Sequence, residues 1–216
     1  MEMIEVRGSP AAIRRAYDFF SYFYEFTVSN LERRAIARGL EKAHALPGEH
    51  VLEVAVGTGA SFKNLREQAG EKGLAVGLDL APRMLARTRR HVPQGNLIQA
   101  DARSLPFAPA SFDILFSSYF LDLIPTEELA DVLEEFHRVL RPGGRLLLVD
   151  FSKEGDKLTL WERIYVHSPQ RIVPYVFGSC RPIRIEPFVH EAGFVSIERE
   201  FLPGGMSSEI LLARKD

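Results

Sequence analysis

The 216-residue chain carries a single cysteine, Cys180. One thiol forms neither an intramolecular disulfide nor a cysteine-based metal cluster, and it is compatible with a reducing compartment. No apolar run approaches the ~20 residues that span a bilayer. Met1 to Pro10 contains Glu2 and Glu5 and lacks the apolar stretch of a secretory leader. Net charge is also nearly missing. The 27 Lys and Arg against 29 Asp and Glu leave a formal −2, which gives no bulk attraction for nucleic acid. Internal repeats and low-complexity tracts are lacking. These absences point to a soluble, cytoplasmic protein without a nucleic-acid partner. What is present, 46% hydrophobic residues in a chain of this length, suffices for the core of one domain.

Ser9-Pro10 reads as a helix start. Helical patterning runs from there to about His44, with a break where Thr27-Val28-Ser29-Asn30 cluster. Leu46-Pro47-Gly48 ends this N-terminal helical part. Strands and helices then alternate. Strands are expected at Val51 to Val56, Leu74 to Leu78, Asn96 to Ala100, Phe112 to Ser117 and Arg145 to Phe151. Helices are expected at Ala60 to Gly70, at Arg83 to His91 with Pro82 in the first turn, and at Thr126 to Leu140. Thr126 would cap the last of these and Arg141-Pro142-Gly143-Gly144 would stop it. This order implies βαβ units, a mostly parallel sheet, and ligand-binding loops along one edge. Phe194 to Phe201 and Glu209 to Ala213, joined by Leu202-Pro203-Gly204-Gly205, read as a closing antiparallel hairpin. The expected architecture is a doubly wound α/β domain with a seven-stranded sheet. It divides into a helical cap (1–46), a ligand-binding core (47–152), a lid insertion (153–185) and a closing helix and hairpin (186–216).

Three marks sit at successive strand ends. The first strand runs into Gly57-Thr58-Gly59, where two glycines allow a tight turn and close backbone approach to a nucleoside. Asp79 follows 20 residues after Gly59. A carboxylate there can accept both ribose hydroxyls of an adenosine, the plain alternative being a capping role. Asp101, ending the third strand, can accept from an adenine amine or simply hold a surface turn. Together the three are hard to obtain by accident. A dinucleotide fold of the NAD type needs a further glycine three residues beyond Gly59. Phe62 stands there and argues against a pyrophosphate. A ligand without phosphate, such as S-adenosylmethionine, fits better.

Val51-Leu52-Glu53-Val54-Ala55-Val56-Gly57-Thr58-Gly59 resembles the first motif of the class I S-adenosylmethionine-dependent methyltransferases. Gly77-Leu78-Asp79-Leu80-Ala81-Pro82-Arg83-Met84-Leu85 resembles their second-strand motif. Ala100-Asp101-Ala102-Arg103-Ser104-Leu105-Pro106-Phe107, with Ser111-Phe112-Asp113, is similar to the next. Arg138-Val139-Leu140-Arg141-Pro142-Gly143-Gly144-Arg145-Leu146 is similar to the segment entering strand five. Within the class, the chain most resembles the ubiquinone/menaquinone-biosynthesis C-methyltransferases and bacterial phospholipid N-methyltransferases, from about Tyr17 to Ser152. The resemblance implies S-adenosyl-L-methionine as cofactor and S-adenosyl-L-homocysteine as product. It also implies roles by position. Glu53, Gly57 and Gly59 would border the methionine portion. Ala55 and Val56 belong to the same turn, Ala55 where many members have glycine and Val56 where a smaller residue is usual. Asp79 would hold the ribose, with Leu80 and Met84 beside the adenine and Asp101 and Ala102 at its edge. Ser117 and Ser118 would sit near the transfer point, and Tyr17 would close over the cofactor. The C-terminal third lacks the longer tail motifs associated with quinone methylation.

Methyl transfer from a sulfonium is an in-line displacement in which alignment and desolvation supply much of the acceleration. A base is needed only where the acceptor loses a proton. Candidates are His167 in the lid, and Tyr119 and Asp122 after strand four. Each has a plain alternative: a surface histidine, pocket lining, a loop carboxylate. Cys180 reads as a buried small hydrophobe. His44, His50, His91, His137 and His190 show no metal-ligand spacing, so no metal is expected. Two regions bear on the acceptor. Phe19, Phe20, Tyr22, Phe23, Tyr24 and Phe26 crowd the N-terminal helix, as an apolar pocket, a membrane-touching lid or ordinary packing. Arg163 to Ile185 contains no Asp or Glu and sets Arg163, Arg171, Arg181 and Arg184 among apolar and aromatic residues. Such a stretch suits anionic lipid or a phosphate headgroup, unless its arginines pair with acids elsewhere in the fold. The reading is a small-molecule methyltransferase with an apolar or lipid-like acceptor. A quinone ring carbon and a phospholipid amine are the first two to consider, and a peripheral membrane contact stays open. The alternatives are an inert S-adenosylmethionine-binding regulator and an NAD(P)-type oxidoreductase, which Phe62 disfavours.

Overall fold

The computed structural model describes residues 3–7, 9, 11–13, 15–16, 30–152, 160–176, 178–204 and 207–216. The strands β1 (His50–Val54), β2 (Leu74–Asp79), β3 (Asn96–Gln99), β4 (Phe112–Ser118), β5 (Leu140–Ser152), β6 (Phe194–Leu202) and β7 (Ser207–Lys215) form one sheet in the order β3-β2-β1-β4-β5-β7-β6. The first five run parallel. β7 pairs antiparallel with both β5 and β6. β1, β2 and β4 read HVLEV, LAVGLD and FDILFSS and are buried over nearly their whole length. Apolar runs of this kind arise when both faces of a parallel sheet are covered.

Alternate side chains of each strand enter opposite layers. Leu52, Leu115, Leu146 and Leu148 pack on one face with helix α4 (Leu129–Val139) and helix α7 (Glu186–Glu191). Val51, Ile114, Phe116, Leu147 and Val149 pack on the other with α1 (Asn30–Ala43) and α2 (Ala60–Ala69). α4 shows why the sequence folds this way. Leu129, Val132, Leu133, Phe136 and Val139 recur at helical spacing and all are buried. α3 (Pro82–His91) opens on its proline, whose missing N–H costs nothing in a first turn. Two further helices, α5 (Leu160–His167) and α6 (Val173–Val176), follow β5.

Two boundaries depart from the sequence expectation. Thr126 does not cap the fourth helix. A 3-10 turn forms over Thr126–Glu128, α4 begins at Leu129, and neither start has a side-chain cap. The Thr126 hydroxyl instead accepts from Arg181 Nη2 at 3.4 Å. Arg141-Pro142-Gly143-Gly144 does not stand outside the sheet either. β5 already pairs through Leu140 with Phe112, and the register slips between Phe112 and Ile114 to absorb these residues.

The register sets Val54 level with Leu78 on one side and Ser117 on the other. The carboxyl ends of β1, β2 and β4 therefore open onto one edge. Strand order reverses between β1 and β4, which is where such sheets leave a crevice for a ligand.

Candidate active site

That edge holds a cleft with about 1050 Å³ of open space, its solvent mouth included. Ala55, Gly57, Asp79, Leu80, Met84, Asp101, Ala102, Ser118 and Tyr119 all line it. After β1 the chain turns through Ala55 (φ 59°), Gly57 (φ 54°) and Gly59 (φ 88°) before α2 begins. Ala55 thus adopts a left-handed conformation usually left to glycine, at a cost of about 1 kcal/mol.

Asp79 braces this turn. Its Oδ2 accepts the Gly57 N–H at 2.9 Å and its Oδ1 accepts the Ala81 N–H at 2.8 Å. A carboxylate offers about four acceptor sites, so these two bonds do not exhaust it. Glu53 lies behind the turn and is 1% exposed. Ser61 Oγ donates to its Oε1 at 2.5 Å, while Oε2 has no partner among the described residues. Burial pushes the Glu53 carboxyl up to about 8, against the Ser61 hydrogen bond and with the help of the Asp79 charge.

Val56, Gly59 and Ser117 also stand behind the cleft wall. Val56 packs with Phe62, Ala75 and Val92. Gly59 backs onto Thr88. Ser117 Oγ donates to the Val54 carbonyl at 3.1 Å. Phe62 fills the space beside Gly77 and Gly95. Tyr17 and the aromatic cluster from Phe19 to Phe26 lie outside the described residues.

Asp101 reaches the cleft already paired. Its Oδ1 accepts from Arg103 N and Nε, both at 3.0 Å, and its Oδ2 accepts from Arg103 Nη2 at 2.6 Å. The Arg103 guanidinium holds this carboxyl below the usual range, and its Nη1 also donates to Glu128 Oε2 at 2.9 Å. Past Ser118 the chain adds Phe120, Leu123, Ile124 and Pro125 to the lining, joined by Val6 and Ile13, with Glu128 paired to Arg103 as the charged exception.

The three candidate bases are not gathered together. Tyr119 lines the cleft in a left-handed conformation (φ 51°), with its hydroxyl 2.8 Å from Ser208 Oγ and its ring against Phe151. Burial pushes its phenol well above the usual range. His167 ends α5, exposed, with Nδ1 donating to the Arg163 carbonyl at 2.7 Å. No histidine lines the cleft among the described residues. Asp122 is fully buried beneath the cleft wall, facing Arg181 and the Cys180 thiol. Burial pushes it up to about 7 while Arg181 pulls it down.

Asp122 belongs to a polar group that sequence reasoning missed. Asp150, in β5, accepts the N–H groups of Phe120 and Leu121 on Oδ1 at 3.0 and 3.1 Å. Burial, then the neighbouring Asp122 charge, raises Asp150 well above its ordinary value. Arg181 is fully buried and its Nη2 donates to the Ile124 carbonyl at 2.6 Å. A lone carboxylate inside Leu146-Leu147-Leu148-Val149-Asp150-Phe151 was the available signal for the first. For Arg181 nothing separated it from Arg163, Arg171 and Arg184.

A family model described as a methyltransferase domain matches residues 51–144. A demethylmenaquinone methyltransferase of Beutenbergia cavernae is 34% identical, over 94% of this chain and 88% of its own. A 2-phytyl-1,4-naphthoquinone methyltransferase of Thermosynechococcus vestitus is 31% identical, over 78% of this chain and 81% of its own. Among solved structures, phosphoethanolamine N-methyltransferase 2 of Haemonchus contortus, bound to S-adenosylhomocysteine, superposes with a TM-score of 0.74 at 18% identity, over 94% of this chain and 59% of that one. At that identity the likeness speaks for the fold. The unpartnered Glu53 oxygen beside the glycine turn suits the ammonium group of S-adenosylmethionine, and the cleft beside Gly57 leaves room for it. With the relatives' identity, these features settle the family: the chain belongs to the class I S-adenosylmethionine-dependent methyltransferases.

Proposed function

We propose that this methyltransferase acts on an apolar, quinone-type ring carbon. The observation that carries the reading is the lining of the cleft. Beside Ser118 the walls are mostly apolar, with Val6, Ile13, Phe120, Leu123, Ile124 and Pro125, and the charged Glu128 that also lines the cleft is paired with Arg103. A flat apolar ring gains from burial against such walls at roughly 25 cal/mol per Å². The relatives named for demethylmenaquinone and 2-phytyl-1,4-naphthoquinone support the same acceptor class.

When bound, S-adenosylmethionine supplies a methyl group on a positively charged sulfur. The chain's residues do the rest by position. Asp79 accepts ribose hydroxyls, and Glu53 Oε2 holds the ammonium group through its ionised form. Leu80 and Met84 flank the base. Asp101 meets the adenine amine with Arg103 fixing its plane. The apolar walls would align the acceptor: the electron-rich ring carbon of the reduced quinol would take the methyl group as the methyl–sulfur bond breaks, sulfur leaving as a neutral thioether and the ring proton passing to solvent, so no covalent nucleophile is needed.

The test is turnover to S-adenosylhomocysteine with a short-chain demethylmenaquinol beside phosphatidylethanolamine. The expected result is product with the quinol. Product with phosphatidylethanolamine alone moves the acceptor to a phospholipid amine. No turnover with either, in a protein that binds S-adenosylmethionine, overturns the proposed acceptor and favours a binding protein.

A further inference from the structure

None of the described side chains of helix α5 and the turns after it lines the cleft. Glu162, Tyr165 and Val173 face inward and are fully buried. The outward side is apolar to an unusual degree: Ile164 is 51% exposed, Val166 39%, Ile172 45% and Tyr175 48%. Arg163 and Arg171 are exposed among them, and neither pairs with a carboxylate among the described residues. The segment 163–185 contains no acidic residue. Exposed apolar side chains gathered in one short stretch mark an interaction surface. Basic and apolar residues interleaved along this exposed stretch match an anionic lipid surface, with the apolar groups at headgroup depth and the guanidinium groups on phosphates.

The patch is tied to the cleft. Arg7 Nη1 donates to the carbonyls of Tyr165, Val166 and Ser168 at 2.8, 2.5 and 2.7 Å, closing the end of α5. Val6, next to it, lines the cleft. No helix among the described residues is long and apolar enough to cross a membrane, so the contact is peripheral.

We propose that the exposed face of residues 163–175 docks on anionic lipid and brings the apolar end of the cleft to an acceptor held in the bilayer. The delivery of that acceptor rests on the function proposed above; the docking does not.

The experiment is co-sedimentation of the full chain with vesicles of phosphatidylglycerol and, separately, of phosphatidylcholine, without any acceptor. Strong binding to phosphatidylglycerol and weak binding to phosphatidylcholine are expected. Arg163→Ala/Arg171→Ala should weaken the former about 25-fold, at about fivefold per basic side chain. Ile164→Ser/Ile172→Ser should weaken it too, while both variants keep wild-type S-adenosylhomocysteine affinity as proof of folding. Equal binding by wild type and variants, or wild-type binding to neither vesicle, overturns the proposal. So does a concentration-dependent dimer abolished by the same substitutions, which would assign the patch to a second copy of the chain. Quinol turnover is measured apart, so failure of docking and failure of the acceptor reading are separate results.

Discussion

Asp79 Oδ2 accepts the Gly57 N–H at 2.9 Å, fastening the end of β2 to the turn that leaves β1. The carboxylate proposed to meet the ribose is therefore also a brace of the glycine turn. Asp79→Ala should weaken S-adenosylhomocysteine binding by about 2 kcal/mol, near thirtyfold in Kd. It should also lower the melting temperature, because two backbone N–H groups lose their acceptor. Asp79→Asn keeps one acceptor oxygen and should fall between. Titration calorimetry checks the first effect and thermal denaturation the second; an unchanged Kd would remove Asp79 from the cofactor site.

Gly57 and Gly59 share a left-handed conformation but have different surroundings. A Cβ on Gly59 would lie 2.6 Å from Thr88 Cγ2 and 3.2 Å from Thr88 Cα. Among the described residues, a Cβ on Gly57 would meet only the Ala55 carbonyl, at 3.9 Å, and would point into the cleft it lines. Gly59→Ala should therefore cost about 2–4 kcal/mol of stability, overpacking added to backbone strain. Gly57→Ala should cost about 1 kcal/mol yet weaken cofactor binding about tenfold or more. Urea denaturation beside calorimetry separates the two, and equal loss of stability in both variants would contradict the assignment.

The features legible in the sequence are those set by local period and by position at a strand end. Asp79 and Asp101 fall where β2 and β3 finish, and the glycine turn follows β1, so their meeting at one edge follows from a parallel sheet. Features made by distant partners were not legible. Thr126 has the chemistry of a cap, but Arg181 claims its hydroxyl. Val6 and Ile13 reach the cleft from the N-terminal segment without any local pattern to announce it. The arginines of residues 163–185 read as one basic group, yet Arg181 is buried against the Ile124 carbonyl while Arg163 and Arg171 face solvent.

Glu53 should change protonation when the cofactor binds. In the free protein its carboxyl titrates at about 8, so at neutral pH it is mostly neutral. An ammonium group placed on Oε2 favours the ionised form, so binding at pH 7 should release about one proton. Calorimetric enthalpies in two buffers of different ionisation enthalpy measure this, and Glu53→Gln should show no release. The sign for folding is also fixed. A carboxyl raised from 4.5 to about 8 favours the fold when protonated. Its contribution is complete below the ordinary carboxylate range and is lost as pH rises toward 8, at no more than about 1.4 kcal/mol per pH unit. Glu53→Gln should flatten that part of the stability profile.

Arg181 is the cation set against Asp122, whose charge in turn raises Asp150, in a region where Asp150 Oδ2 and Arg181 Nε and Nη1 are buried without hydrogen-bond partners among the described residues. Removing one member of a buried charge group costs about 3–5 kcal/mol, because the remaining charge is left unpaired. Both carboxyls are raised above their ordinary values, Asp122 to about 7. They therefore favour the fold when protonated, and that contribution is lost as pH rises through the folded value. Arg181→Met removes, at similar length, the charge that holds Asp122 down, and leaves both carboxyls raised. Its deficit should be small in mild acid, where they are neutral, and should approach the full cost above neutrality. Adding Asp122→Asn should recover most of the loss at alkaline pH and little in acid. Urea denaturation of the wild type, the two single variants and the double variant at both pH values completes the cycle. A deficit of the same size at both pH values would mean that Arg181 contributes packing and its Ile124 hydrogen bond rather than charge, and the buried carboxyls would then have to be compensated by something other than this arginine.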